Sequence, residues 1–264
     1  MPLRAGFDLD GTVADMYSAL RREAIKLFGE EVIGTAETSS TPDEGVPHEV
    51  AARSPSTTAR RVTSRQASSN DKVQTPKSED DQTASISMQD LHLSARQQAQ
   101  LWDHVKTIEN FWTTLPELEP GIIARIAKNV VDRRWEVIFF TTRPATSGEL
   151  VQVQSQRWLE AHGFQYPSVY VVQRSRGKIA DALGLDTFVD DRPENCLDIA
   201  VESHAKVVLV WHGDPKEIPP GAKRLGVQPV TRISDAMNLL EKLDDIRNEP
   251  SLMRTIKKGL GIRD

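Results

Sequence analysis

Cysteine is nearly absent from this chain: Cys196 is the single one among 264 residues. No intrachain disulfide can form, so the fold must be held by its apolar core, and a reducing compartment fits. Cys196 falls on a predicted helix and is expected to be core rather than a nucleophile. Aromatic residues are scarce, at 6%. No run approaches the roughly 18 consecutive apolar residues of a membrane helix. The opening residues carry no basic region followed by a long apolar stretch, so no signal peptide is expected. Basic excess is missing too: the formal charge of −5 gives no sign of a nucleic-acid-binding surface. No Cys/His cluster suggests zinc, and no internal repeat is present. These absences leave a soluble, cytoplasmic protein, with neither nucleic-acid polymer nor membrane as partner. Its length suits one α/β domain plus an insert.

Strand and helix patterns alternate along most of the chain. Strands are predicted over 3–9, 136–141, 168–172, 186–189 and 206–211. Helices are predicted over 15–28, 97–111, 122–133, 148–162, 178–183, 193–201 and 233–243 from their 3.6-residue periodicity and their flanking Gly and Pro residues. Such alternation predicts an α/β fold: a three-layer, Rossmann-like parallel sheet whose strand ends collect on one rim. The segment 35–88 is different material, rich in Ser, Thr, Pro, Ala and charge. It cannot bury enough apolar surface to offset its ordering entropy, and it reads as a disordered low-complexity insertion. Its basic patch, from Arg53 to Arg65, is either a docking or modification segment or a solvated linker. Residues 246–264 read as a C-terminal tail.

The most informative stretch is Asp8-Leu9-Asp10-Gly11-Thr12, directly after the first predicted strand. Carboxylates two residues apart at a strand end point the same way, and Gly11 permits a tight turn behind them. Two such groups repel unless a cation or a reacting centre uses them. Three further stretches follow in order. Val137-Ile138-Phe139-Phe140-Thr141 is an apolar run ending in a hydroxyl. Lys178 sits in Arg176-Gly177-Lys178-Ile179-Ala180. Thr187-Phe188-Val189-Asp190-Asp191 is an apolar run ending in paired carboxylates.

Together these stretches resemble the four motifs of the haloacid dehalogenase-like (HAD) phosphohydrolases, over about residues 1–30 and 105–215. The resemblance implies a phosphomonoesterase acting through an aspartyl-phosphate. Asp8 would attack phosphorus, and Asp10 would protonate the leaving oxygen and then activate water. Thr141 would donate to a phosphate oxygen, and Lys178 would neutralise the phosphate and keep Asp8 ionised. It also implies Mg²⁺, held by Asp8, the backbone carbonyl of Asp10, and Asp190 or Asp191. Oxygen ligands alone suit that hard cation. The pair leaves open which carboxylate binds the metal directly. Thr142 and Arg143 lie next along the rim as candidate substrate-binding residues, Arg143 either contacting phosphate with two prongs or capping the local turn. Arg174 and Arg176 are weaker candidates.

The long interval between the first two motifs would hold a small helical cap inserted after the first motif. The domains are then a core over 1–14 and 115–245 and a cap over 15–34 and 89–114. Glu109-Asn110-Phe111-Trp112, with the Leu115 to Gly121 stretch after it, is similar to the cap region of the 5′(3′)-deoxyribonucleotidases. That likeness implies Phe111 and Trp112 stacking on a base; the alternative is that they pack cap against core. The expected substrate is a small phosphorylated metabolite. A (deoxy)nucleoside monophosphate leads, ahead of a sugar phosphate or a non-catalytic binding role on the same fold.

Overall fold

A computed structural model describes residues 2–31 and 91–248. The insertion expected over 35–88 lies outside the described residues, as does nearly all of the tail expected over 246–264. Six strands form one sheet: β1 (Arg4–Asp8), β2 (Glu136–Thr141), β3 (Ser168–Val171), β4 (Thr187–Asp190), β5 (Lys206–Val210) and β6 (Gln228–Val230). Their order is β3-β2-β1-β4-β5-β6, and every pairing is parallel. The order runs one way from β1 to β3 and the other way from β4 to β6. The switch point therefore falls between β1 and β4, and a doubly wound sheet opens its ligand crevice there, outside the carboxyl ends of the strands.

Strand alternation divides the core into two layers. Phe7, Phe139, Val189, Val208 and Val210 face one side, while Phe140, Phe188, Val207 and Leu209 face the other. Near-continuous apolar strands of this kind mark a sheet covered on both faces. On the first face lie α1 (Met16–Phe28), α2 (Ala95–Thr107), α3 (Ile122–Arg133), α4 (Val151–Ala161) and α8 (Ile233–Asn248), through residues such as Leu20, Leu101, Ile126, Trp158 and Met237. On the second lie α5 (Arg176–Ala182), α6 (Pro193–Glu202) and α7 (Pro220–Arg224), through Ala180, Ile199 and Ala222. The expected three-layer parallel sheet is thus present. Gly6 is needed in β1 because a Cβ there would lie 2.6 Å from the Phe188 ring.

Local signals set the helix starts. The Asp15 side chain accepts from the Ser18 N–H and caps α1. Ser94 and Gln97 form a reciprocal capping box on α2. Pro193 opens α6. The helices expected to form the cap, α1 and α2, share one apolar cluster with the sheet. The helix expected over 97–111 ends earlier, at Thr107, and a separate 3₁₀ turn follows at Phe111–Thr113. Between them Asn110 takes a left-handed φ of 53°, a conformation that Asn tolerates better than most residues.

Candidate active site

The sheet rim is built from the turn after β1. Ala14 donates its N–H to the Leu9 carbonyl at 2.7 Å, and Gly11 donates to the Ala14 carbonyl at 2.9 Å. Gly11 has φ +83°, and a Cβ there would lie 2.2 Å from Asp191 Oδ2. This glycine is therefore required twice, for its backbone and for the close approach of β4's end. Thr12 donates its hydroxyl to Asp191 Oδ1 at 3.3 Å. From the loop after β5, His212 reaches across to the Gly11 carbonyl, Nε2 lying 3.0 Å from the oxygen. That oxygen can only accept, so Nε2 carries the hydrogen.

Asp8, Asp190 and Asp191 converge, each offering an oxygen within 4.8 Å of the others'. Asp190 is fully buried and its oxygens are already occupied. They accept from the Arg192 backbone N–H at 2.9 Å, from Asn195 Nδ2 at 3.1 and 3.2 Å, and from Arg176. Asp191 is half-buried; its carboxylate accepts from the Thr12 hydroxyl and from its own backbone N–H. Arg176, buried at the start of α5, lies 2.6 Å from Asp8 Oδ1 and also pairs with Asp190. Burial pushes the Asp8 carboxyl well above the ordinary range; Arg176 opposes this, while the neighbouring aspartates add to it. Burial, reinforced by Asp190, pushes Asp191 up to about 7. Burial works against the charge on Arg176, but Asp8 and Asp190 outweigh it and raise its pKa.

Asp10 belongs to a second group. Thr141 donates its hydroxyl to Asp10 Oδ2 at 2.9 Å. Arg143 Nε lies 2.8 and 3.0 Å from the two Asp10 oxygens, and its Nη2 lies 2.7 Å from Oδ1. The Arg143 backbone N–H donates to Thr141 Oγ1 at 3.1 Å. Arg143 Nε is thus shared between the two Asp10 oxygens, Thr141 adds a second donor to Oδ2, and Nη2 adds charge beside Oδ1 without a hydrogen bond of its own. The two groups together hold four carboxylates against two buried guanidiniums, a formal excess of two negative charges that the raised Asp8 and Asp191 carboxyls reduce by keeping protons.

The structure brings Asp8, Asp10, Thr141, Arg143, Asp190 and Asp191 together and corrects several expectations. Lys178 is exposed. Its backbone N–H donates to the Ser175 cap, and the cation against Asp8 is Arg176. Arg143 is buried against Asp10 and is not free to grip a phosphate or to cap a turn. Thr141 is committed to Asp10, whereas the neighbouring Thr142 hydroxyl is buried with no hydrogen-bond partner among the described residues. Phe111 and Trp112 are both fully buried and meet edge-to-face at 5.0 Å. Neither ring presents a face on which a base could stack. Arg174 is exposed. Sequence reading missed Asn195, Ser155 and His212 and undervalued Arg176. One local signal favoured Arg176: Gly177 beside it packs so closely that a Cβ would lie 2.4 Å from the Asp198 carbonyl oxygen, which fixes the face α5 turns inward.

No family model matches the chain, and no curated protein matches it. Among solved structures, a Thermotoga maritima protein assigned provisionally as a beta-phosphoglucomutase is similar. It shares 14% identity with a TM-score of 0.45, over 91% of this chain and 99% of that one.

Proposed function

We propose that this chain is a Mg²⁺-dependent phosphomonoesterase of the HAD type, working through an aspartyl-phosphate on Asp8. The observation that carries this reading is the convergence of Asp8, Asp190 and Asp191 around one guanidinium at the switch point of the sheet. A hard divalent cation fits that donor set. All its ligands would be oxygens, the carboxylates at the rim formally outnumber the buried guanidiniums by two, and Asp191 keeps accepting capacity that Asp190 has spent. Asp8, the backbone carbonyl of Asp10 and Asp191 would then hold the ion with water completing its shell, and Asp190 would orient Arg176 and Asn195 around them. Bound there, Mg²⁺ supplies positive charge to the phosphoryl oxygens.

The chain's own groups take the remaining roles. Asp8 Oδ attacks phosphorus, and Arg176 neutralises charge beside it, the role expected of Lys178. The unpartnered Thr142 hydroxyl donates to a phosphoryl oxygen, since an orphaned buried hydroxyl is costly unless a ligand satisfies it. The attack by Asp8 breaks the bond from phosphorus to the leaving oxygen. Asp10 enters the step carrying a proton and gives it to that oxygen. Then, ionised and held by Arg143 and Thr141, it takes a proton from the water that hydrolyses the aspartyl-phosphate. A retired scaffold has no physical reason to retain so many costly buried charges, which disfavours the non-catalytic reading.

The finer reading, a 5′-nucleotidase for (deoxy)nucleoside monophosphates, rested on Phe111 and Trp112. With both rings in the core it loses that support, and the substrate class best supported is a small phosphomonoester. Phosphate release from nucleoside monophosphates and sugar phosphates, with and without Mg²⁺, tests this directly. Mg²⁺-dependent release that falls to assay background in Asp8→Asn is expected; release indifferent to Mg²⁺ or to Asp8 refutes it.

A further inference from the structure

We infer that Trp112, Trp158 and Ser155 form a socket for the Arg143 guanidinium, and that Arg143 held there is the positioning residue that aims Asp10 at the leaving group. The inference rests on the phosphatase reading above and extends it to residues outside the four motifs.

The socket is closed on every described side. The Arg143 guanidinium carbon lies 5.0 Å from the Trp112 ring centre and 5.9 Å from that of Trp158, both within cation–π range. Its Nη1 donates to Ser155 Oγ at 3.0 Å, and Nε and Nη2 face Asp10. The two indoles are themselves fixed. Trp112 donates its ring N–H to the Pro144 carbonyl at 2.9 Å, and Trp158 donates to the Leu115 carbonyl at 2.7 Å. A planar guanidinium clamped between two rings and a hydroxyl has one orientation left, and its fork fits a carboxylate as an ammonium cannot. Thr141 holds Asp10 from the other side. The Asp10 carboxylate is thereby fixed in place and plane, as a group serving a reacting atom must be. Trp112 stands on the segment between the first two motifs. The burial that disqualifies it as a platform for a base makes it a wall of this socket.

The test compares wild-type protein, Arg143→Lys and Ser155→Ala on two substrates at saturating Mg²⁺. One is an alkyl phosphate, glycerol 2-phosphate; the other is 4-nitrophenyl phosphate, whose leaving group departs without assistance. Arg143→Lys is expected to lower kcat/KM, which reads formation of the aspartyl-phosphate and not its hydrolysis, by about 10²-fold on the alkyl phosphate, the lower range for a displaced acid–base group. KM should stay within about threefold and the kcat/KM loss on 4-nitrophenyl phosphate below about tenfold, because the misplaced group matters less there. Ser155→Ala removes one hydroxyl from the socket. It is expected to show the same asymmetry at about three- to tenfold, and it serves where Arg143→Lys fails to fold by its thermal melt. Equal losses of kcat/KM on both substrates overturn the positioning role, as does a loss confined to KM, which would make Arg143 a phosphate ligand. Wild-type protein inactive on both substrates, with and without Mg²⁺, refutes the phosphatase reading itself and the inference with it.

Discussion

Mg²⁺ should stabilise this protein in a pH-dependent way, and the size of the effect follows from Asp191. Its carboxyl is pushed up to about 7 from an ordinary 3.8, by burial first and by Asp190 second. A folded-state acid with a raised pKa keeps its proton where the unfolded chain has already lost it. Between about pH 4 and pH 7 the native state therefore binds more protons, and its stability falls as pH rises through that window, then levels off. At about 1.4 kcal/mol per pH step the penalty reaches the order of 4 kcal/mol at most. A bound divalent cation needs the carboxylate deprotonated and offsets this penalty.

The numbers separate two conditions cleanly. With free Mg²⁺ at 100 times its dissociation constant at pH 8, binding to the native state adds about 2.7 kcal/mol. A domain of 150–250 residues gains roughly 2–4 °C in Tm per kcal/mol, so a shift of about 5–10 °C is expected. At pH 5 the ion must displace a proton from Asp191, which alone weakens its apparent affinity about 100-fold, and the raised Asp8 carboxyl adds to this. The same Mg²⁺ concentration then sits at or below its dissociation constant and adds no more than about 0.4 kcal/mol, or roughly 1–2 °C. Thermal melts at both pH values, with and without Mg²⁺, measure this directly. Asp191→Asn is the control: it should lose most of the Mg²⁺ shift, and without Mg²⁺ its stability relative to wild type should improve from pH 5 to pH 8. An equal Mg²⁺ shift at both pH values, or a full shift in Asp191→Asn, would refute the reasoning.

Three further variants separate the rim from its surroundings. Arg176→Ala strands Asp8 and Asp190 in the interior without their cation and should destabilise the fold by about 3–5 kcal/mol while abolishing turnover. Lys178→Ala, at an exposed position, should change stability by less than about 0.5 kcal/mol and leave turnover nearly intact; melts and phosphate release on the two variants check the contrast. Gly11→Ala places a methyl at φ +83° against Asp191 Oδ2. It should lower stability by more than about 1 kcal/mol and remove the Mg²⁺-induced Tm shift at pH 8, because Asp191 must move away.

The acidic half of the site was legible in the sequence, and the cationic half was not. Asp8, Asp190 and Asp191 stand at the ends of apolar runs, where strand alternation and the parallel order fix their direction and bring them to one rim. A missed strand, β6, did not disturb that reading: Pro229 argues against a central strand, and β6 lies at the sheet edge where proline is tolerated. The cations come from crossover segments, whose rotation is set by packing partners distant in sequence. Arg176 and Lys178 are two residues apart on one helix, about 200° around its axis, so only one of them can face Asp8. What selects Arg176 is the close seat of Gly177 against α6. Arg143 reads as an exposed arginine after a strand until Trp112 and Trp158 close on it. Phe111 and Trp112 read as a platform until the left-handed Asn110 separates them from α2. Carboxylates placed by strand periodicity can be read from one sequence, whereas the groups that compensate them depend on which face a helix or turn buries, a property of the assembled core.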